Sequence, residues 1–480
     1  MTSISLSNLN DKVLFNSKII IPVIIASFSS LLIQNIWIAI LIVLFAYLLI
    51  LYGINFFFFF VIVSLLTLVG EFNHLLRLVI QLIAFGGLSF LFIKEYGLEF
   101  VRYPKVPAIL LNFITLIFSV MALSTVFSNY LYTGAVQIVK LVIFFYLMYL
   151  LHSFIKSDEI AKIYIKSLFI ASAIMALSTF IHLYSGGINL ANLAISHFRT
   201  GGLLGNVNAI GGYYAVVIPV AVTFLFYKGK EINKLYLVIL ILIFSFGLLA
   251  VTSRSAIISI LVSLLFILFY LNKRLLLLFI GLMLLLLLMY FFFDPIYEFI
   301  SVVLRVERGL SRRDYLWQLS SDMIKDNFWF GVGPGAWGKE MFNYFPVLLN
   351  SYKGKLFINL FELTGGFNGS HNFYLFYFTE MGIFGLITSI IFPIVFFRIG
   401  FKTIKNTKHF NKIYNLLAIG ITSVGAGMFV RAFFEGISLI TIHRITVDIP
   451  FWLLFIILIY LYNKVLHIKP EFMTADNIRV

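Results

Sequence analysis

The sequence predicts an all-α polytopic membrane protein, and three observations carry that prediction. Of 480 residues, 61% are hydrophobic and only 11% are charged, against about 25% charged in soluble domains. The mean hydropathy is +1.04. Apolar runs such as Leu275–Phe293 recur at the length that crosses a hydrocarbon layer. A soluble fold could not hide so much apolar surface, so lipid is the expected solvent.

Taken in order, the runs predict about fourteen spans, with 12–14 as the range. They lie near 19–34, 36–51, 54–70, 75–93, 108–127, 132–151, 163–184, 208–226, 235–252, 255–271, 275–293, 373–397, 414–434 and 449–462. Residues 1–293 thus hold helices 1–11, 294–372 a long loop with short interfacial helices, 373–462 helices 12–14, and 463–480 a tail. There is no clear internal repeat. Lys12 and Lys18 precede the first run, but further spans follow, so it reads as an anchor rather than a cleaved signal.

Orientation follows from the basic residues, which are enriched in cytoplasmic loops. With the N-terminus inside, the even-numbered loops hold Lys94, Arg102 and Lys105, then Lys156 and Lys162, and then Lys228, Lys230 and Lys234. Lys273 and Arg274 follow, and after them Arg398, Lys402, Lys405, Lys408 and Lys412. Lys464, Lys469 and Arg479 follow the last span. Both termini are expected in the cytoplasm. The net charge of +15 therefore reads as topology, and no nucleic-acid partner is expected.

The opposite side differs in kind. Outside the long loop it holds no lysine, only the arginines Arg77, Arg199, Arg254, Arg431 and Arg444. Guanidinium stays charged and grips phosphate or carboxylate with a planar fork of donors. An arginine near membrane depth costs about 2–3 kcal/mol or more when poorly placed. Several on one face point to an anionic ligand there. The long loop, with eight basic and eight acidic residues, is balanced.

Four segments on that outer side carry chemistry. The first runs from Arg199 through a glycine-rich turn to Asn206 and Asn208; alone, it also reads as a turn capping the eighth span. The second is Thr252-Ser253-Arg254-Ser255, a polar break between apolar spans, where an arginine can also snorkel to headgroups. The third begins at Arg312 and Arg313 and runs through Trp317 to the glycine string Gly331, Gly333 and Gly335. Leu316, Leu319 and Met323 share one face, so this helix is expected on the bilayer surface. Trp317, Trp329 and Trp337 are expected in the interfacial belt. The glycine string lacks the Lys-Ser/Thr of a phosphate loop, which excludes a nucleotide site. The fourth is His371-Asn372 with Tyr374, Glu380, Gly382 and Gly385 downstream. Imidazole at a loop end can act as a base near neutral pH.

Lys140 falls mid-span and reads as functional or as snorkelling. Glu435, His443, Arg444 and Asp448 read either as lining the outer mouth or, the favoured reading, as loop ion pairs. The chain has no cysteine, which removes thiolate chemistry, and no metal-ligand pattern stands out on the outer side. No metal and no cofactor are called for.

In this order the segments resemble the O-antigen ligase and O-antigen polymerase superfamily. The resemblance covers about residues 199–390. It rests on the Arg199 to Asn206-x-Asn208 block, Ser253-Arg254, Arg313-x-x-x-Trp317, Gly331-x-Gly333-x-Gly335, and His371-Asn372 with Glu380-x-Gly382-x-x-Gly385. Val207 stands where a proline is usual. What the resemblance implies is a GT-C-like, metal-independent, inverting glycosyltransferase of surface polysaccharide and lipopolysaccharide biosynthesis in a bacterial inner membrane. Its donor would be a glycan on undecaprenyl diphosphate, used on the periplasmic side. The acceptor would be a lipid-A core sugar or a second lipid-linked repeat. Arg254 and Arg313 would bind the diphosphate and His371 would assist the acceptor hydroxyl. Arg199, Asn206, Asn208, Arg312 and Asn372 would be further substrate contacts. A lipid-linked-glycan flippase or an envelope scaffold are the rival readings.

Overall fold

In lipid the backbone must satisfy its own hydrogen bonds, which leaves helices as the way to span. The computed structural model describes residues 53–67, 74–97, 106–186, 200–304, 313–349, 369–441 and 445–472, and these form helices joined by turns. In chain order they are α1 (Gly53–Thr67), α2 (His74–Tyr96), α3 (Ala108–Phe127), α4 (Leu131–Ser153), α5 (Asp158–Ser185), α6 (Val207–Leu225), α7 (Lys234–Val251) and α8 (Arg254–Leu271). Then come α9 (Lys273–Phe292), α10 (Asp294–Leu304), α11 (Arg313–Asp326), α12 (Trp337–Leu349), α13 (Phe373–Thr407), α14 (Lys412–Arg431) and α15 (Ile449–Phe472).

Among the described residues, ten helices are long and apolar enough to cross a membrane: α3–α9, α13, α14 and α15. α1 is apolar but shorter, and α2 coincides with the run near 75–93. The expected spans near 19–34 and 36–51 lie outside the described residues. α13 and α15 outrun the apolar lengths predicted for them because their helices continue into Lys402, Lys405 and Lys464 beyond the hydrocarbon.

α14 lies at the centre, packed on α6, α8, α13 and α15. Its small residues are the reason, since helices in lipid associate where backbones approach closely. Gly420 faces Thr223 of α6, Gly425 faces Phe396 of α13, and Gly427 meets Ser259 and Ser263 of α8. The Ser263 hydroxyl donates across to the Ser423 carbonyl at 2.9 Å. On the other flank an aromatic layer fills the space between α4, α13 and α15. Trp452 stacks on Phe392 at 5.6 Å and meets Phe144 edge-on at 5.8 Å. By contrast α9, almost wholly leucine and aromatic, buries none of its residues, as befits a helix turned to lipid.

Two breaks in helix geometry position the site. α13 kinks at Met381 and Gly382, where Gly382 adopts φ +63°. The backbone groups freed there are taken up by the loop before α12. Val332 N donates to the Thr379 carbonyl (3.0 Å), Gly333 N to that of Glu380 (2.9 Å), and Ile383 N to that of Phe328 (2.9 Å). The Glu380 carboxylate, fully buried, accepts from Gly335 N (2.8 Å) and Trp337 N (3.3 Å). The glycine string thus splints a broken membrane helix. Gly331 sits at φ +71°, and a Cβ there would strike the Glu380 backbone; one on Gly382 would strike the Trp329 carbonyl.

Two expectations for the long loop are overturned. Leu316, Leu319 and Met323 are buried, so that face of α11, which packs on α13, meets protein rather than the bilayer. Trp337 is fully buried and donates to Ser320 Oγ at 2.9 Å; it belongs to the core, not to an interfacial belt. Trp329 is exposed. An amphipathic pattern records only that one face is apolar, not what covers it.

At the end of the bundle where α5 and α14 begin and α15 ends, a second polar cluster ties these helices together. Asp158 accepts from Lys464 Nζ (2.7 Å), Tyr460 OH (3.0 Å) and Tyr414 OH. Lys464 also lies 4.7 Å from the Tyr414 ring centroid. Lys140 points outward from α4, exposed along the bundle's flank.

Gly331→Ala and Gly382→Ala should each lower stability by about 2 kcal/mol or more, from left-handed strain plus collision. Gly281→Ala on α9, where nothing lies within 4 Å of an added Cβ, should be neutral or slightly stabilising. Thermal midpoints of the three purified variants in detergent check the contrast.

Candidate functional site

The site grows from one buried acid. Glu435 follows α14 by four residues and is 2% exposed, and a lone ionised carboxylate there would be costly. Its partners come from far along the chain. His371 Nδ1 lies 2.9 Å from Glu435 Oε1, and Arg313 Nη2 lies 3.4 Å from Oε2. Gly436 N adds a bond to Oε1 at 3.2 Å. Burial pushes the carboxyl up, but His371, Arg313 and Arg431 more than offset it and hold Glu435 well below the usual carboxylate range, at about 2.

Each partner is held from behind. Arg313 opens α11, and one turn later Trp317 donates its indole N–H to the Ser370 carbonyl at 3.0 Å. The Arg-x-x-x-Trp spacing therefore lets one helical face grip Glu435 and the residue before His371 together. His371 adopts φ +51°, a left-handed conformation that costs a non-glycine residue about 1 kcal/mol or more. Asn372 caps α13, its side-chain oxygen accepting from Leu375 N at 3.0 Å, and Phe373 N donates to Ala432 O at 2.8 Å. The histidine segment is pinned against the end of α14.

The Glu435 loop is braced as firmly. Arg431, the last residue of α14 and 1% exposed, donates to the carbonyls of Asn208 (2.6 Å) and Ile437 (3.1 Å). Thr441 donates its N–H (2.5 Å) and hydroxyl (2.6 Å) to Asp448. Tyr377 OH donates to Ile440 O (3.1 Å) and Trp452 Nε1 to Leu439 O (2.6 Å). Burial pushes the Asp448 carboxyl up to about 7, against the pull of Thr441, Ser438 and Arg431.

Arg254 enters the same end as the first residue of α8, half-buried between Ser253 and Ser255, whose hydroxyls lie 3.4 Å apart. Ser253 packs on Gly211 of α6, and the next residue, Gly212, packs on Arg431 and Ser438. One turn of α6 thus connects the Arg254 break to the Glu435 loop. Asn206 caps α6, accepting from Asn208 N (2.9 Å) and Ala209 N (3.0 Å). The oxygens of Asn206 and Asn372 are both engaged as helix caps, and Asn208 contributes its backbone N–H to the first of them. Arg199 and Arg312 lie outside the described residues, as does Arg444.

Sequence reasoning missed Glu435, Arg431 and Asp448 as members of one cluster. Glu435 and Asp448 read preferentially as loop ion pairs and Arg431 as one of several outer-face arginines suited to an anion, whereas Arg431 is buried on backbone carbonyls. The available signal was three ionisable residues close to membrane depth, where such groups are costly. Their partners at 313 and 371 were hidden by chain distance.

The raised Asp448 gives a signed pH prediction. Its folded state holds the proton longer than the unfolded chain does, so it contributes stability at low pH that is lost as pH rises through about 7. Asp448→Asn should remove this dependence. The thermal midpoint of wild type should fall relative to that of the variant as pH rises from about 4 to about 7. A difference that stays constant with pH would count against titration of Asp448.

A family model described as O-antigen ligase matches residues 237–390. The matched stretch holds Arg254, Arg313, the glycine string, His371 and the α13 kink. It begins after Asn206 and Asn208 and ends before Arg431 and Glu435. Comparison with curated proteins finds no match. The family match, over the part of the chain that brings Arg313 and His371 to one carboxylate, supports membership in the O-antigen ligase and O-antigen polymerase family.

Proposed function

We propose that this protein is a membrane glycosyltransferase that moves a glycan from undecaprenyl diphosphate to a sugar hydroxyl. The family match supports ligase- or polymerase-type action in polysaccharide biosynthesis. The observation that carries the finer reading is the meeting of His371 and Arg313 at Glu435, with Arg254 one helix away. A polyprenyl diphosphate is a good leaving group, so the protein chiefly has to stabilise negative charge and accept one proton.

The reaction is a single displacement. The acceptor hydroxyl oxygen attacks the anomeric carbon from the face opposite the diphosphate, and the bond from that carbon to the diphosphate oxygen breaks. The hydroxyl proton passes to His371 Nε2, and undecaprenyl diphosphate leaves with the bonding electrons. One attack inverts the anomeric configuration. Arg254 and Arg313 supply charge to the departing diphosphate, the work a divalent metal does elsewhere. Arg199, Arg312, Asn206, Asn208 and Asn372 are further contacts in this reading.

Sidedness rests on the lysines. Lys156, Lys234, Lys273, Lys402, Lys412 and Lys464 lie at the ends of spans opposite to Arg254, His371 and Glu435. The excess of basic residues on the cytoplasmic side therefore supports a cytoplasmic lysine end and a periplasmic reaction. The flippase reading calls for polar groups along the midplane, while the Glu435 cluster is confined to one end.

Purified protein with a lipid-linked glycan donor and an acceptor sugar tests the proposal. His371→Ala should lose about 10²-fold or more in kcat. Arg254→Ala and Arg313→Ala should each lose about 10²–10³-fold in kcat/KM. Turnover should persist in EDTA. Wild-type turnover in any of the variants removes that residue from the mechanism, and label movement without bond formation favours transport. Glycan ladders on lipopolysaccharide from a deletion strain separate the two activities: single repeats mean polymerase, and unattached lipid-linked chains mean ligase.

A further inference from the structure

We infer that Glu435 is a positioning residue that sets which nitrogen of His371 accepts the proton; the inference rests on the transferase reading above. Neutral imidazole has one donor and one acceptor nitrogen, and the bond made by one decides the role of the other. With Arg313 on Oε2 and Arg431 nearby favouring its ionised form, Glu435 offers only acceptor oxygens to a neutral His371. Facing Oε1 at 2.9 Å, Nδ1 carries the hydrogen, and Nε2 is left with its lone pair outward. His371 remains partly exposed, its side chain 40% accessible, while Glu435 is 2% accessible. The histidine can thus reach a substrate and the acid cannot.

The same contact acts as the reaction proceeds. When Nε2 takes the hydroxyl proton the ring becomes an imidazolium, and a buried carboxylate 2.9 Å from Nδ1 stabilises that charge without itself taking the proton. Arg313 on Oε2 keeps the carboxylate from protonating and ties the base to the anion-binding helix α11. A loosely held acid could not do this. The loop is fixed at both ends, by Arg431 on the Ile437 carbonyl and by Asp448 on Thr441, while Phe373 N binds Ala432 O beside it. Glu435 lies beyond the 237–390 stretch matched by the family, so this assignment comes from the geometry.

A double-mutant cycle tests it, using full-length protein, the lipid-linked donor and the acceptor sugar. In the wild-type background Glu435→Gln should lower kcat about 10²-fold, because an amide can present N–H to Nδ1 and select the wrong tautomer. The acceptor KM should change little. In the His371→Ala background the same substitution should lower turnover less than twofold, since its route through the imidazole is gone. Losses that multiply across the two positions would overturn the inference, because they mark a structural role. Wild-type kcat in Glu435→Gln with His371→Ala impaired would overturn this inference alone. Wild-type kcat in His371→Ala would remove His371 from the mechanism and overturn this inference, whereas wild-type protein that moves label without forming a glycosidic bond would overturn the transferase reading itself. If Glu435→Gln does not fold, Glu435→Asp keeps the charge and shortens its reach. It should lose kcat in the wild-type background only, and an equal loss in both backgrounds would overturn the inference.

Discussion

A carboxylate withdrawn from water at the edge of a membrane demands partners, and that demand organises this end of the molecule. Removing one partner from such a group costs several kcal/mol, so Glu435 holds its place only while His371 and Arg313 hold theirs. Those partners belong to segments that begin far apart, one opening α11 and the other preceding α13. Arg431 adds charge nearby while its two terminal nitrogens donate to the carbonyls of Ile437 and Asn208. The cluster is a polar knot whose strands are α6, α11, α13 and α14.

Around that knot, features with the look of ligand-binding motifs have structural work as well. The glycine string binds no nucleotide phosphate in this reading; it supplies N–H groups to a kinked membrane helix, and Glu380 returns two bonds to the start of α12. The asparagines at 206 and 372 cap the two helices whose first turns border the site. Trp317 locks the residue before His371. A motif of this kind persists because backbone in lipid must be satisfied, and the same satisfaction fixes side chains with the accuracy that catalysis requires.

The two ends of the bundle differ in chemistry. At the lysine end, Asp158, Lys464, Tyr414 and Tyr460 satisfy one another and join three helices. At the other end the cations gathered around the buried acid are arginines, and His371 keeps part of its surface open. The first arrangement is closed and self-contained. The second keeps an imidazole partly open on a buried acid, the arrangement on which the proposed proton transfer rests.

The sequence by itself determined the lipid solvent, the existence and order of ten apolar helices though not the ends of α5, α13 and α15, and which segments deserved chemical attention. Hydrophobic length and lysine placement are local properties, readable one window at a time. His371, Arg313 and Arg254 were legible because imidazole and guanidinium are conspicuous beside so much leucine and phenylalanine. Tertiary structure alone decided that Glu435 joins the first two, that Arg431 is buried rather than offered to an anion, and that α11 turns its apolar face to protein. Those outcomes depend on pairs separated by up to 223 residues, as for Arg431 and Asn208. Pairing across such distances is settled by which helices pack together, and no local pattern of residues records that choice.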